Sequence, residues 1–450
     1  MIGRWRLAAL AGVLLMTGTL VAVAAEPAAE AAPPVPQSDS FYQPPAGFAS
    51  TAPGTVLRTR QVTAGAFTKF RQHAMAWQVL YRTTDNEGRP EATVTTVMQP
   101  SGSKPSKLRP LVSYQVAEDS AAPQCGIGYQ LRRGAKNANI VAKTEIVLID
   151  AALSKGWVVT VPDYEGPNSA YMAGRQAGHA VLDAIRATES FRRTGLNGAA
   201  TNVGLWGYSG GALASDWAAE LQSSYAPELN IAGVAEGGLT VEPAEMLDQI
   251  NKGSYAGMAM SAIAGLRHAY PQLDTFLDRH LTPAGAAAFA LAARQCNSAN
   301  VATFARRDVD RYFTVPHALT QLVPTQVFTE DTLGQHTPTA PLYLYQAVHD
   351  EVAPQAEVDA MVASYCNDGG AVTYHRDILS EHVALVITGA PGALEWLAAQ
   401  LGGTQADAGC HTSTVASSLL SPSALFTMGI ALYDDLLALA GEPIGPDDMS

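Results

Sequence analysis

Charge is scarce in this 450-residue chain, where Asp, Glu, Lys and Arg together make up only 15% of the residues. Basic residues are the scarcer sign, 28 Lys and Arg against 41 Asp and Glu, and no Lys/Arg-rich cluster occurs. A net charge of −13 repels nucleic acid and anionic headgroups, so no nucleic-acid partner is expected. Cysteine is sparse: Cys125, Cys296, Cys366 and Cys410 are the only four, at spacings that fit neither a zinc site nor a C-x-x-C redox pair. H-E-x-x-H, P-loop and G-x-G-x-x-G motifs are all missing, and the ten histidines do not cluster with acids at ligand spacing. Neither a metal nor any other cofactor is expected. No internal repeat stands out, and no run after the first 25 residues is apolar enough to span a membrane. What the chain does have is 47% hydrophobic residues, the composition of a packed globule rather than of a disordered chain.

The first 25 residues place Arg4 and Arg6 ahead of a short apolar stretch that ends in small residues. That order predicts a secretory signal peptide, cut near Ala24 or Ala25, and a secreted, extracellular protein. In an exported chain four cysteines predict disulfides, with three connectivities open. Residues 26–40, rich in Pro and Ala, read as a flexible leader. WQVLYRTT (77–84) and ATVTTVMQP (92–100), either side of a turn-like DNEGRP, predict a hairpin. From residue 141 onward, helical stretches alternate with the strand-like runs WVVTVPDY, VGLWGYS, IAGVAEGG, APLYLYQAVHD and AVTYHRDI. Alternation of this kind predicts an α/β fold with a mostly parallel sheet covered on both faces. The core is assigned to 41–239 and 336–412. Residues 240–335 break the rhythm with Ala-rich helical segments and read as a helical cap insertion. Residues 413–450 are left as a C-terminal flap or tail.

Between the strand-like VGLW and the helical ALASDWAAELQSS lies Gly207-Tyr208-Ser209-Gly210-Gly211, a G-x-S-x-G pattern. A serine hydroxyl is a weak nucleophile unless it projects into a site where a base takes its proton. A sharp strand-to-helix turn projects it, and the flanking glycines clear the space that the turn closes. This context predicts a nucleophile elbow in an α/β-hydrolase fold, with Ser209 as nucleophile and the Gly210 N–H facing developing negative charge. Chain order in that fold runs serine, acid, histidine. His382, which follows AVTYHRDI and precedes a helix, is the candidate base; His375 inside that strand reads as structural. LYLYQAVHDEVAP offers Asp350 and Glu351; Asp350, first after the strand, is the candidate acid, with Asp377 the competitor. Asp119, at the end of PLVSYQVAED, is the candidate second oxyanion donor through its backbone N–H.

With those residues in view, the chain resembles the secretory lipase family. VSYQVAEDSAAPQC, DYEGPNSAYMAGRQAGHAVLDAIRA, LWGYSGGALASDWAAELQSSYAPELNI, HDEVAP and EHVAL carry the likeness, in order, from about residue 40 to Cys410. The resemblance implies Ser209, Asp350 and His382 as the catalytic set, with Asp119 and Gly210 as oxyanion donors. It also implies disulfides Cys125–Cys296 and Cys366–Cys410. The cap and the segment after Cys410 match the family only loosely.

The expected activity is carboxylic ester hydrolysis through an acyl-enzyme, with acylglycerols or other esters as substrates. A lipid–water interface is an allowed partner, and a monomer is expected. An esterase acting on soluble esters and an acyltransferase keep the same triad. A binding protein built on a hydrolase scaffold is the non-enzymatic alternative.

Overall fold

The computed structural model describes residues 32–66, 70–101, 104, 106–136 and 144–445. The expected signal peptide and the first part of the leader lie outside the described residues. Runs rich in Val, Thr, Leu and Tyr supply the strands, as β-branched and aromatic side chains do on a pleated surface. In chain order these are β1 (Val56–Val62), β2 (Gly65–Ala66), β3 (Phe70–Arg71), β4 (Ala74–Thr84), β5 (Pro90–Pro100) and β6 (Leu111–Gln115). They continue as β7 (Val158–Pro162), β8 (Val203–Tyr208), β9 (Ile231–Gly237), β10 (Leu342–Ala347), β11 (Val372–Asp377) and β12 (Cys410–Val415).

Ten of them form one sheet in the order β1-β4-β5-β7-β6-β8-β9-β10-β11-β12. The β4–β5 hairpin pairs antiparallel, as do β1 with β4 and β5 with β7. From β7 to β12 every pairing is parallel. The central strands β6, β7, β8 and β10 are buried along their whole length, which is why they read as continuous apolar runs.

Alternate side chains feed two cores. Leu205 and Val234 face the Gly174–Ser190 and Gly210–Tyr225 helices, while Trp206 and Ala235 face Ile146–Ser154 and Ala390–Leu401. Each leucine taken fully from water in this way contributes about 2 kcal/mol. Between β9 and β10 the described residues hold six α-helices and no strand. The best buried of these, Ala256–Ala269, meets the sheet domain at Gly265, where a Cβ would stand 2.6 Å from the Tyr171 backbone nitrogen.

Three findings differ from the sequence reading. Order starts before Phe41: Pro36–Ser38 and Ser40–Tyr42 form 3-10 turns, because buried Asp39 caps Phe41 N at 3.0 Å and pairs with Arg60 at 2.7 Å. Two edge strands, β1 and β12, were not anticipated. Both are largely solvent-facing, so they lack the apolar alternation that marks a half-buried strand. The third is that β12 carries the sheet past residue 412. The segment that follows, whose sequence already looks helical, is the helix Pro422–Leu439.

No single helix among the described residues is long and apolar enough to cross a membrane. One bent pair, His382–Thr388 with Ala390–Leu401, passes by length and composition only; its second member packs on β8 and β9 as a core helix.

Candidate active site

β8 ends at Tyr208 and the Gly210–Tyr225 helix starts at Gly210, so one residue makes the whole turn. That residue, Ser209, sits at φ +54°, a region that non-glycine residues seldom occupy. Its N–H donates to Gly237 O at 2.8 Å, and its carbonyl accepts from Leu213 N at 3.0 Å. The flanking glycines are required by contact: a Cβ on Gly211 would collide with the Gln115 carbonyl, and one on Gly207 with the Gly211 carbonyl. Tyr208, between them, turns its ring toward the other face of the sheet and donates from its hydroxyl to His382 O at 2.6 Å.

Asp350 and His382 lie just past the carboxyl ends of β10 and β11, neighbours in the parallel sheet. His382 Nε2 stands 2.9 Å from Ser209 Oγ, and His382 Nδ1 stands 2.9 Å from both Asp350 oxygens. All three residues are buried, each less than one-tenth exposed. Asp350 Oδ1 accepts from Val352 N at 2.9 Å and Ala353 N at 2.7 Å, and Oδ2 accepts from Gln346 Nε2 at 3.0 Å. These donors hold the carboxylate in position against the imidazole. Burial works to lower the His382 pKa, but the charge and hydrogen bond of Asp350, helped by Glu351 and Asp119, outweigh it and leave the imidazole raised.

Gln346, Glu351 and Gln249 were not singled out as supports from the sequence. Glu351 accepts from His382 N at 3.0 Å, and Gln249, in a cap helix, donates to Asp350 O at 2.9 Å. Polar residues beside a candidate acid are a weak signal, and the partner each meets is set by distant chain. The competitor Asp377 does not reach His382; its carboxylate orders the turn after β11, accepting from Leu379 N at 3.1 Å and Ser380 N at 2.9 Å.

Asp119 lies within the loop between β6 and the Pro123–Cys125 turn, at φ +49°, and sits against the elbow, so that a Cβ on Gly210 would collide with its Oδ1. Burial raises its pKa to about 7, against the lowering influence of His382 and a Tyr171 hydrogen bond. Asn297 Nδ2, from the cap, reaches its Oδ2 at 3.4 Å. The Cys125–Cys296 disulfide fastens this loop to the cap, and Cys366–Cys410 joins the helix after β10 to β12.

A family model described as "Secretory lipase" matches residues 131–409. "Lipase A" of Arthroderma benhamiae is 41% identical over 432 residues, covering 93% of this chain and 91% of that protein. A Mycobacterium tuberculosis protein described as "Probable inactive lipase MT1628" is 40% identical over 82% of this chain and 83% of its own length. Among solved structures, Candida antarctica lipase A superposes with a TM-score of 0.83 at 29% identity, over 92% of this chain and 99% of that one. Together with the sheet order, that likeness makes the architecture an α/β-hydrolase fold.

Proposed function

The chain belongs to the secretory lipase family, and from that premise we propose that it is a secreted serine hydrolase cleaving acylglycerol esters through an acyl-enzyme. The observation that carries this reading is the unbroken chain of contacts Ser209 Oγ–His382 Nε2 and His382 Nδ1–Asp350, each 2.9 Å. One relative is described as probably inactive, so membership alone does not decide activity. The side chains do the chemical part of the argument.

Ser209 Oγ attacks the ester carbonyl carbon while its proton passes to His382 Nε2. The carbonyl oxygen becomes an oxyanion, held by the N–H of Gly210 at the helix start and the N–H of Asp119. Asp350 fixes the imidazole and stabilises the imidazolium without taking the proton. The carbon–oxygen bond to the alcohol breaks, and the alcohol leaves with the proton from Nε2. Water, deprotonated by the same histidine, then attacks the acyl-enzyme and frees the acid and the serine. Two disulfides in a chain with no free cysteine suit an oxidising, extracellular setting.

Ser209→Ala is expected to abolish p-nitrophenyl ester hydrolysis in a folded protein, and a fluorophosphonate probe is expected to label Ser209 in the parent. Turnover surviving in the variant rejects Ser209 as nucleophile. A folded parent that the probe leaves unlabelled points instead to the non-enzymatic alternative. Assaying triacylglycerols of increasing acyl length, below and above emulsion formation, separates a lipase from a soluble-ester esterase.

A further inference from the structure

The Pro422–Leu439 helix seats small residues, Ala424 and Ala438, against the protein and leaves its large apolar residues outside. Surface helices ordinarily turn apolar residues inward and charges to water. Here the only charged residues, Asp434 and Asp435, face the body of the protein. Asp434 lines a recess with Ser154 and Lys155. Asp435 faces Asp150 of the Ile146–Ser154 helix, whose pKa is raised by burial and further by that charge. The outward side carries Leu425, Phe426, Leu432, Tyr433 and Leu436, each more than half exposed. Their spacing places them on one stripe, which Gly429, Ile430 and Leu437 complete without a charge. Eighteen residues make this face about 27 Å long.

The stripe starts on the edge of the sheet that holds the triad. β12 ends at Val415, Leu379 N donates to Ala416 O at 3.0 Å, and Ser418 N donates to the Asp377 carboxylate. Leu379, Val383 and Leu420, each half or more exposed, carry the apolar surface to the flank of His382.

We infer that this face is a docking surface for an uncharged lipid–water interface, seating the enzyme with the helix in the interfacial plane. The inference rests on the ester-hydrolase reading for the presence of lipid. Charge selects the kind of lipid. Residues 410–450 contain no Lys or Arg and the chain carries −13, so an anionic bilayer meets repulsion, whereas a neutral surface asks only for apolar contact. Area argues against a second copy of the chain. A face about 27 Å by roughly 10 Å covers about 300 Å² per copy, well under the roughly 800 Å² per partner of a stable interface. Phe426 and Tyr433 supply the aromatic rings that favour an interface.

The test is flotation of Ser209→Ala protein with triolein droplets coated with phosphatidylcholine. The protein is expected to float with the droplets. Phe426→Ser/Tyr433→Ser/Leu436→Ser in that background is expected to lower the partition coefficient at least about tenfold, because three half-exposed apolar groups no longer leave water. Replacing part of the phosphatidylcholine with phosphatidylserine is not expected to strengthen binding. With Ser209 intact, the triple variant is expected to keep its p-nitrophenyl acetate turnover, which reports that the fold and site survive. Four results overturn the inference: no flotation of the Ser209→Ala protein, equal flotation of the triple variant, binding that depends on phosphatidylserine, or a dimer in sedimentation that the triple substitution dissolves. Because flotation uses the serine-less protein, it reads docking independently of catalysis. Failure of the intact enzyme to turn over p-nitrophenyl acetate counts against the hydrolase reading alone.

Discussion

Ser209 is held at φ +54° by the Gly237 carbonyl in front of it and the helix behind it. A non-glycine residue in such a conformation stores about 1–3 kcal/mol. Ser209→Gly is therefore expected to raise the melting temperature while abolishing turnover, whereas Ser209→Ala loses turnover without that gain. Calorimetry on the two variants side by side checks it. Asp350 is the largest raising influence on the His382 imidazole, acting against burial. The base must be neutral to accept the serine proton, so a raised pKa pushes the acid limb of the rate profile upward. Asp350→Asn removes that support. Its kcat is expected to fall by about 10³–10⁴ and its acid limb to move to lower pH. A limb that stays in place in the kcat/KM–pH profile would show that another acid partners His382.

The elbow and the edge strand each depend on one local device. Gly211 packs its Cα against the Gln115 carbonyl, which is backbone and has no rotamer to move. Gly211→Ala is expected to cost about 3 kcal/mol or prevent folding, read by thermal denaturation. β12 has little apolar surface of its own: four of its six residues are exposed, and it is held by pairing with β11 and by Cys366–Cys410. That disulfide closes a loop over a sequence separation of 44, for which the chain-entropy argument gives about 4 kcal/mol. Cys366→Ser/Cys410→Ser is expected to lower the melting temperature and to raise hydrogen exchange first in residues 410–415. Unchanged exchange there would mean that β12 holds by backbone pairing alone.

Among the described residues, acids are buried far more often than bases. Burial raises Asp119, Asp163 and Asp331 to about 7 and Glu145 to about 8, and pushes Glu118, Glu165, Asp216 and Glu236 well above the carboxylate range. Such groups bind protons in the folded state that the unfolded chain has released by about pH 4–5, so the fold loses stability as pH rises from there toward 8. His179, lowered to about 4 mainly by burial, and the lowered His268 and His375 act in the opposite sense only below about pH 6.5. The acids outnumber them, so the melting temperature is expected to be higher at pH 5 than at pH 8. A melting temperature that climbs over that interval in a pH series would refute the assignment of these carboxyls as neutral in the fold.

The strand–helix alternation, the glycine-flanked Ser209 and the polar residues that follow two late strands were legible in the amino-acid order, because hydrophobic period and steric demand at a sharp turn act over a few neighbouring residues. Folding decided the rest. β1 and β12 are strands only because neighbours pair with them, and exposed edges leave no apolar pattern. The residues alone left three disulfide pairings open, and the likeness to a family suggested the pair that the fold has brought together. Ser209 and His382 meet across 173 positions, and Gln346, Glu351 and Tyr208 find the site only once the parallel strands are in register. Which side of the Pro422–Leu439 helix meets water also had to wait for packing: its charges are few, and the face that is buried carries the small residues Ala424 and Ala438. Contacts at such separations depend on how the whole chain closes, and closure is a property of the sheet rather than of any stretch within it.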